Sequence, residues 1–68
     1  MNEKNDYSKY IGKRVHIKTE GTNRTFIYNG IIVFVGSQLL TIIDDIAGEV
    51  DIPLDKILVL IPKEKTYA

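Results

Sequence analysis

The nineteen residues 25–43, TFIYNGIIVFVGSQLLTII, hold no charged side chain in a chain of only 68. A run this long approaches the roughly 20 apolar residues that carry a helix across a bilayer. It must therefore either span a membrane or fold as sheet. Its polar residues gather as Asn29-Gly30 and Gly36-Ser37-Gln38, where a spanning helix would have to bury them at a cost. Nine positions are β-branched: Thr25, Ile27, Ile31, Ile32, Val33, Val35, Thr41, Ile42 and Ile43. Such side chains crowd a helix and pack well on a pleated surface. The run predicts two strands, with Gly36-Ser37-Gln38 as a short hairpin connection. No membrane association is expected.

On the N-terminal side, Asn5 or Asp6 is placed to cap a short helix from Tyr7 to Ile11, and Gly12 to stop it in a left-handed conformation. RVHIKTE then alternates Val15 and Ile17 inward against His16 and Lys18 outward, the pattern of a half-buried strand. GTNR turns the chain into a long strand from Thr25 to Val35, and Gly30 in its middle marks a bend or a close backbone approach. Leu39 to Ile43 is the third strand and DDIAGE a turn. In EVDIPLD, Val50, Ile52 and Leu54 alternate with Glu49, Asp51 and Pro53. Pro53 cannot donate to a ladder and belongs at a strand end, an edge or a bulge. ILVLI supplies the fifth strand. The expected fold is mostly β, a five-stranded, strongly bent barrel with a short N-terminal α-helix. Residues 1–5 are expected to be disordered, 6–62 to form the barrel, and 63–68 to be a polar tail.

Without cysteine the chain has no disulfide framework and no thiolate metal site, and MNEKNDYSKY lacks the apolar stretch of a secretory signal. A cytoplasmic location is the expectation. Formal net charge is zero, but residues 1–24 carry a balance of +3, residues 25–62 of −4 and residues 63–68 of +1. A domain that grips nucleic acid through many phosphates usually shows a clear basic excess, so strong non-specific DNA binding is not expected.

Three segments, IIVFV, LLTII and ILVLI, are apolar on both faces, whereas a sheet with one wet face alternates. Bending hides one face, and a helix of little more than one turn cannot hide the other. Loops could cover the remainder. Association between copies is favoured over that, because chains below about 70 residues commonly need oligomerisation or another staple.

From Asp6 to Ile61 the order of elements resembles the Sm and Sm-like (LSm) family: a short helix, GKRVHIK, YNGIIVFV with its bend, LLTIIDD, then IPLDKILVLI. Gly30 matches the glycine of the family's first motif and Asp45 the acid that ends its third strand. The resemblance implies an SH3-type barrel that assembles into a ring, the fourth strand of one subunit pairing with the fifth of the next. It also implies single-stranded RNA bound around the pore. On that reading Val33, Val35, Ile52, Pro53, Leu58 and Leu60 are the interface residues. Ser37, Gln38, Lys56 and Lys63, in or beside the pore-facing loops, are the candidates to touch RNA. The chain departs from the family at the pocket: Gly36 and Leu40 stand where it has Asp and the base-recognising Asn, and Pro53-Leu54 where it has Arg-Gly. The Tyr-Lys-His signature of the bacterial branch is absent. The resemblance thus implies an oligomeric ring binding RNA without the standard uridine pocket. The alternative is a protein-interaction or scaffold module with the same barrel and no nucleic acid.

Lys13, Arg14, Lys18 and Arg24, with Tyr7, Tyr10 and Tyr28, could form a basic and aromatic surface for a single strand, since bases stack on aromatics while cations follow phosphates. Ordinary solubilising charge explains them as well. His16, the one histidine, has no nucleophile or ligand companion and is expected to be solvated. Asp44, Asp45, Glu49, Asp51 and Asp55 match no calcium-loop spacing and are expected to be turn-forming, solvent-facing acids. No catalytic triad, carboxylate pair or phosphate-binding glycine loop occurs. Neither enzyme activity, a cofactor, a metal nor a small-molecule substrate is expected.

Overall fold

The computed structural model describes residues 7–63. Five strands form one antiparallel sheet: β1 (Arg14–Gly21), β2 (Arg24–Val35), β3 (Leu39–Asp44), β4 (Gly48–Pro53) and β5 (Ile57–Pro62). All five expected strands are present, and the uncharged run is β2, its loop and β3. No helix among the described residues is long and apolar enough to cross a membrane.

The spatial order is β4-β3-β2-β1-β5, which leaves β4 and β5 as edges that do not pair with each other. The sheet is open, and the closed, strongly bent barrel does not form. Consecutive in the chain, these two edges are joined only by the 3-10 turn Leu54–Lys56. Pro53 ends β4 without an N–H to give, and the Leu54 N–H goes to the Gln38 carbonyl at 2.9 Å. The backbone at the corner is thus spent on the β2–β3 loop rather than on a β4–β5 ladder.

The expected α-helix is also corrected. Tyr7–Tyr10 is a single 3-10 turn, because so few residues cannot repay the cost of nucleating an α-helix. Gly12 ends it at φ +87°, as its position implied, and donates its N–H to the Ile32 carbonyl at 2.7 Å. The capping role of Asn5 or Asp6 and the expected disorder of residues 1–5 lie outside the described residues. Of the expected tail, 63–68, only Lys63 is described; its N–H donates to the Arg14 carbonyl at 2.8 Å.

Val15, Ile17, Ile32, Leu40, Ile42 and Ile52 make the core, none more than 2% exposed. They come from alternate positions of four strands and meet in cross-strand rows, Val35–Leu40–Ile52 and Ile32–Ile42–Val50. Tyr7, Tyr10, Tyr28, Leu54, Ile57 and Leu60 pack against this cluster. Full burial of each aliphatic side chain contributes roughly 1.5–3 kcal/mol, offset by the entropy of ordering the chain.

Two β-bulges interrupt the ladders. On β2 the pairing with β3 steps from Ile32 to Phe34, leaving Val33 as the extra residue. On β5 the pairing with β1 steps from Val59 to Ile57, leaving Leu58 extra. An unpaired extra residue bends its strand and releases its side chain from the two-residue alternation. Burial therefore does not alternate strictly along IIVFV and ILVLI, and their outward positions Ile31, Phe34, Val59 and Ile61 are themselves apolar.

Candidate functional site

The β2–β3 loop and the Leu54–Lys56 turn sit together, tied by the Leu54–Gln38 hydrogen bond. Between them lies an open depression of about 440 Å³ lined by Ser37, Gln38, Pro53, Leu54 and Asp55. Two of the expected RNA-contacting residues, Ser37 and Gln38, are therefore neighbours in space. Their setting offers hydroxyl and amide groups, with Asp55 the charged side chain that lines it. Lys56 lines a different groove, of about 170 Å³, with Thr19, Glu20, Phe26, Tyr28, Asp51, Ile52 and Pro53. Glu20 and Asp51 are the acidic residues of that lining and Lys56 its one cationic residue. An anionic strand entering either hollow meets acid.

Lys13, Arg14 and Lys63 cluster elsewhere, where β1 begins and β5 ends, brought together by the Lys63–Arg14 backbone bond. Arg14 Nη1 donates to both Asp45 carboxylate oxygens, at 2.8 and 3.1 Å. This ion pair is about half exposed and is worth at most about 1 kcal/mol. Its chemical effect is to set an acid against one of the few cations expected to follow a phosphate backbone. The six expected contact residues thus divide among three places. The expected aromatics Tyr7, Tyr10 and Tyr28 all pack against the core; Lys9 lies over the Tyr10 ring and Arg24 over that of Phe26.

Of the acids expected to face solvent, Asp45, Glu49, Asp51 and Asp55 are exposed and Asp44 is not. Asp44 is 9% exposed, not solvent-facing. Its Oδ2 accepts the Ile46 and Ala47 N–H groups and its Oδ1 accepts the Asn29 N–H, each at 2.9 Å. The Ala47 N–H chiefly, with those of Ile46 and Asn29, holds the carboxyl below the ordinary aspartate range against the opposing effect of burial. Asp44 is a structural anion that closes the β3–β4 turn and pins it to β2. His16 is half-buried, with Nδ1 2.8 Å from Asn29 Oδ1; donation to that oxygen fits the tautomer protonated at Nδ1. Among the described residues no group of three or more His, Cys, Asp or Glu could hold a metal ion.

The interface candidates also separate. Val33 and Leu58, the two bulged residues, are 48% and 55% exposed, and Pro53 is exposed as well. Ile52 belongs to the core, while Val35 and Leu60 are half-buried against it. Ile52 faces inward because it directly opposes Leu40 across the β3–β4 ladder. Reasoning from runs of letters missed Ile27, Ile31, Ile43, Val59 and Ile61, all exposed on the face opposite the core. Their signal is spread over three strands, β2, β3 and β5, and emerges only with the register. It also missed Ile46, 95% exposed at the tip of the β3–β4 turn.

Comparison with protein-family models, with curated proteins and with solved structures finds no match to any of them.

Proposed function

We propose that this chain is a self-associating scaffold module of Sm-like strand order, whose open edges receive neighbouring chains. The observation that carries the reading is the pair of unmatched edges, β4 and β5, the second of which exposes Leu58, Val59 and Ile61. Edge strands present unpaired N–H and C=O groups, and natural proteins protect them with charge, proline or a cover. β4 carries Glu49, Asp51 and Pro53; β5 has no charged residue. A charged edge beside a bare one supports a head-to-tail pairing of β4 with β5 of the next chain, the arrangement that the family resemblance implies. Light scattering at micromolar concentration tests it. A mass of several chains that falls for Leu58→Asp is the expected result, and a wild-type monomer overturns it.

A second reading, single-stranded RNA binding, is favoured by one observation: the Leu54–Gln38 bond joins the two loops that an Sm-like ring turns toward its pore. Backbone and amide groups there would contact sugar and base edges with little help from charge. It predicts a shallow salt dependence, since few phosphates are neutralised. Fluorescence anisotropy with a labelled uridine-rich strand across a salt series tests it; no binding at low salt removes it and leaves the scaffold.

A further inference from the structure

Four residues, one from each of β1 to β4, form a single row across the outer face. Arg14 pairs with Ile31, Ile31 with Ile43, and Ile43 with Glu49. Directly paired residues of antiparallel strands point to the same side, so the row runs cation, isoleucine, isoleucine, acid. Ile31 and Ile43 are 37% and 42% exposed at its centre.

We propose that this face is a two-fold interface with a second copy of the same chain, distinct from the strand edges. The row is self-complementary. A two-fold axis running along the strands between β2 and β3 lays Ile31 of one copy on Ile43 of the other, and Arg14 on Glu49 at both ends. This is the pattern that an isologous contact requires, in which residue i meets j and j meets i. Turning the axis across the strands would instead set Arg14 on Arg14 and Glu49 on Glu49, so the charges select one orientation. The same rotation brings Phe34, 53% exposed and paired with Thr41, over the Thr41 of the second copy. Val33, 48% exposed next to it, widens the apolar centre. Two faces packed in this way stand about 10 Å apart, the ordinary spacing of a β-sandwich.

Arg14 can serve in both settings. Asp45 engages only its Nη1, and a guanidinium carries five N–H donors in a fork. Across the interface the fork bridges Asp45 of its own chain and Glu49 of the second.

The test uses the intact chain and two single variants, followed by sedimentation with one variant fluorescently labelled. Arg14→Glu sets acid against acid, and Glu49→Arg cation against cation; each alone weakens self-association about tenfold. Mixed in equal amounts, the two restore opposite charges at both ends of one heterodimer, and association returns toward that of the wild type. A folding role for either residue predicts no such rescue on mixing. Ile31→Thr and Ile43→Thr keep the β-branched shape of the sheet, verified by circular dichroism, and each weakens the dimer. A mixture that associates no better than the single variants overturns the proposal. So does an oligomer indifferent to both threonine variants, which would be held by its edges alone, or a wild-type monomer whose outer face is left to another partner.

Discussion

Gly30 of β2 faces Asp44 of β3 so closely that a methyl group on Gly30 would lie 2.9 Å from the Asp44 α-carbon and 2.7 Å from the Ile43 carbonyl carbon. Both obstacles are backbone, which cannot swing aside as a side-chain tip can. Gly30→Ala is therefore expected to destabilise the fold by about 3 kcal/mol, the upper part of the range for forced overpacking. Urea denaturation checks it. A change below ~0.5 kcal/mol, the scale of a neutral surface substitution, would show that β2 and β3 can part here freely.

Asp44 predicts an acid limb in the stability profile. Its folded carboxyl stays ionised to lower pH than the same group in the unfolded chain, because three N–H groups point at it. Across the window from the ordinary aspartate value, about 3.9, down to the depressed folded value, the unfolded state binds more protons. Stability contributed by Asp44 is thus complete above that window and lost as pH falls through it. Asp44→Asn, which turns one acceptor into a donor, is expected to cost about 1–3 kcal/mol at neutral pH. The gap between variant and wild type should shrink as acid is added. Denaturation midpoints measured at several pH values check this, and a gap independent of pH would contradict it.

These two residues also mark what was legible in the chain. Gly30 announced a close approach because a missing side chain inside a strand has few other uses. All five strands were legible for a similar reason: their turns carry glycine and short polar residues, and β1 and β4 alternate. The absence of closure was not legible, since whether β4 and β5 meet depends on the curvature of the whole sheet and not on any local pattern of letters. The burial of Asp44 was not legible either. Asp44 and Asp45 are the same letter side by side, and only the turn geometry sends one to three amides and the other to Arg14. For the candidate site, the nearness of Ser37 to Gln38 followed from sequence adjacency. The separation of Lys56 from Lys13, Arg14 and Lys63 required the sheet order.

Ile52 and Leu58 lie on the two edge strands, yet they should respond oppositely to a charge. Ile52 is 2% exposed and Leu58 55%. Ile52→Asp places a carboxylate among Leu40 and its neighbours and is expected to unfold the domain, because an unpaired buried charge costs several kcal/mol. Leu58→Asp puts its charge at a bulge already open to solvent. It is expected to leave the circular dichroism spectrum intact while lowering the mass in solution. If Leu58→Asp unfolds the chain as Ile52→Asp does, β5 contributes to the core rather than to an edge contact.

Thr41 and Asp51 offer a test of the β3–β4 ladder that leaves the core untouched. They oppose each other across the strands, and the Thr41 hydroxyl donates to Asp51 Oδ1 at 2.7 Å. Thr41 is 7% exposed, so the bond is partly shielded, and a hydrogen bond to a charged acceptor contributes about 1.5–3 kcal/mol. Thr41→Val preserves the β-branched shape and removes the donor; Asp51→Ala removes the acceptor. Each is expected to lower stability by about 1 kcal/mol or more, the first because a carboxylate loses its partner and the second because a buried hydroxyl does. In the double variant neither group is orphaned, so the combined loss should be smaller than the sum of the two, by about 1 kcal/mol. A double-mutant cycle from denaturation midpoints checks the coupling. Strict additivity would mean that water replaces the missing partner and that β4 is held by its backbone ladder alone.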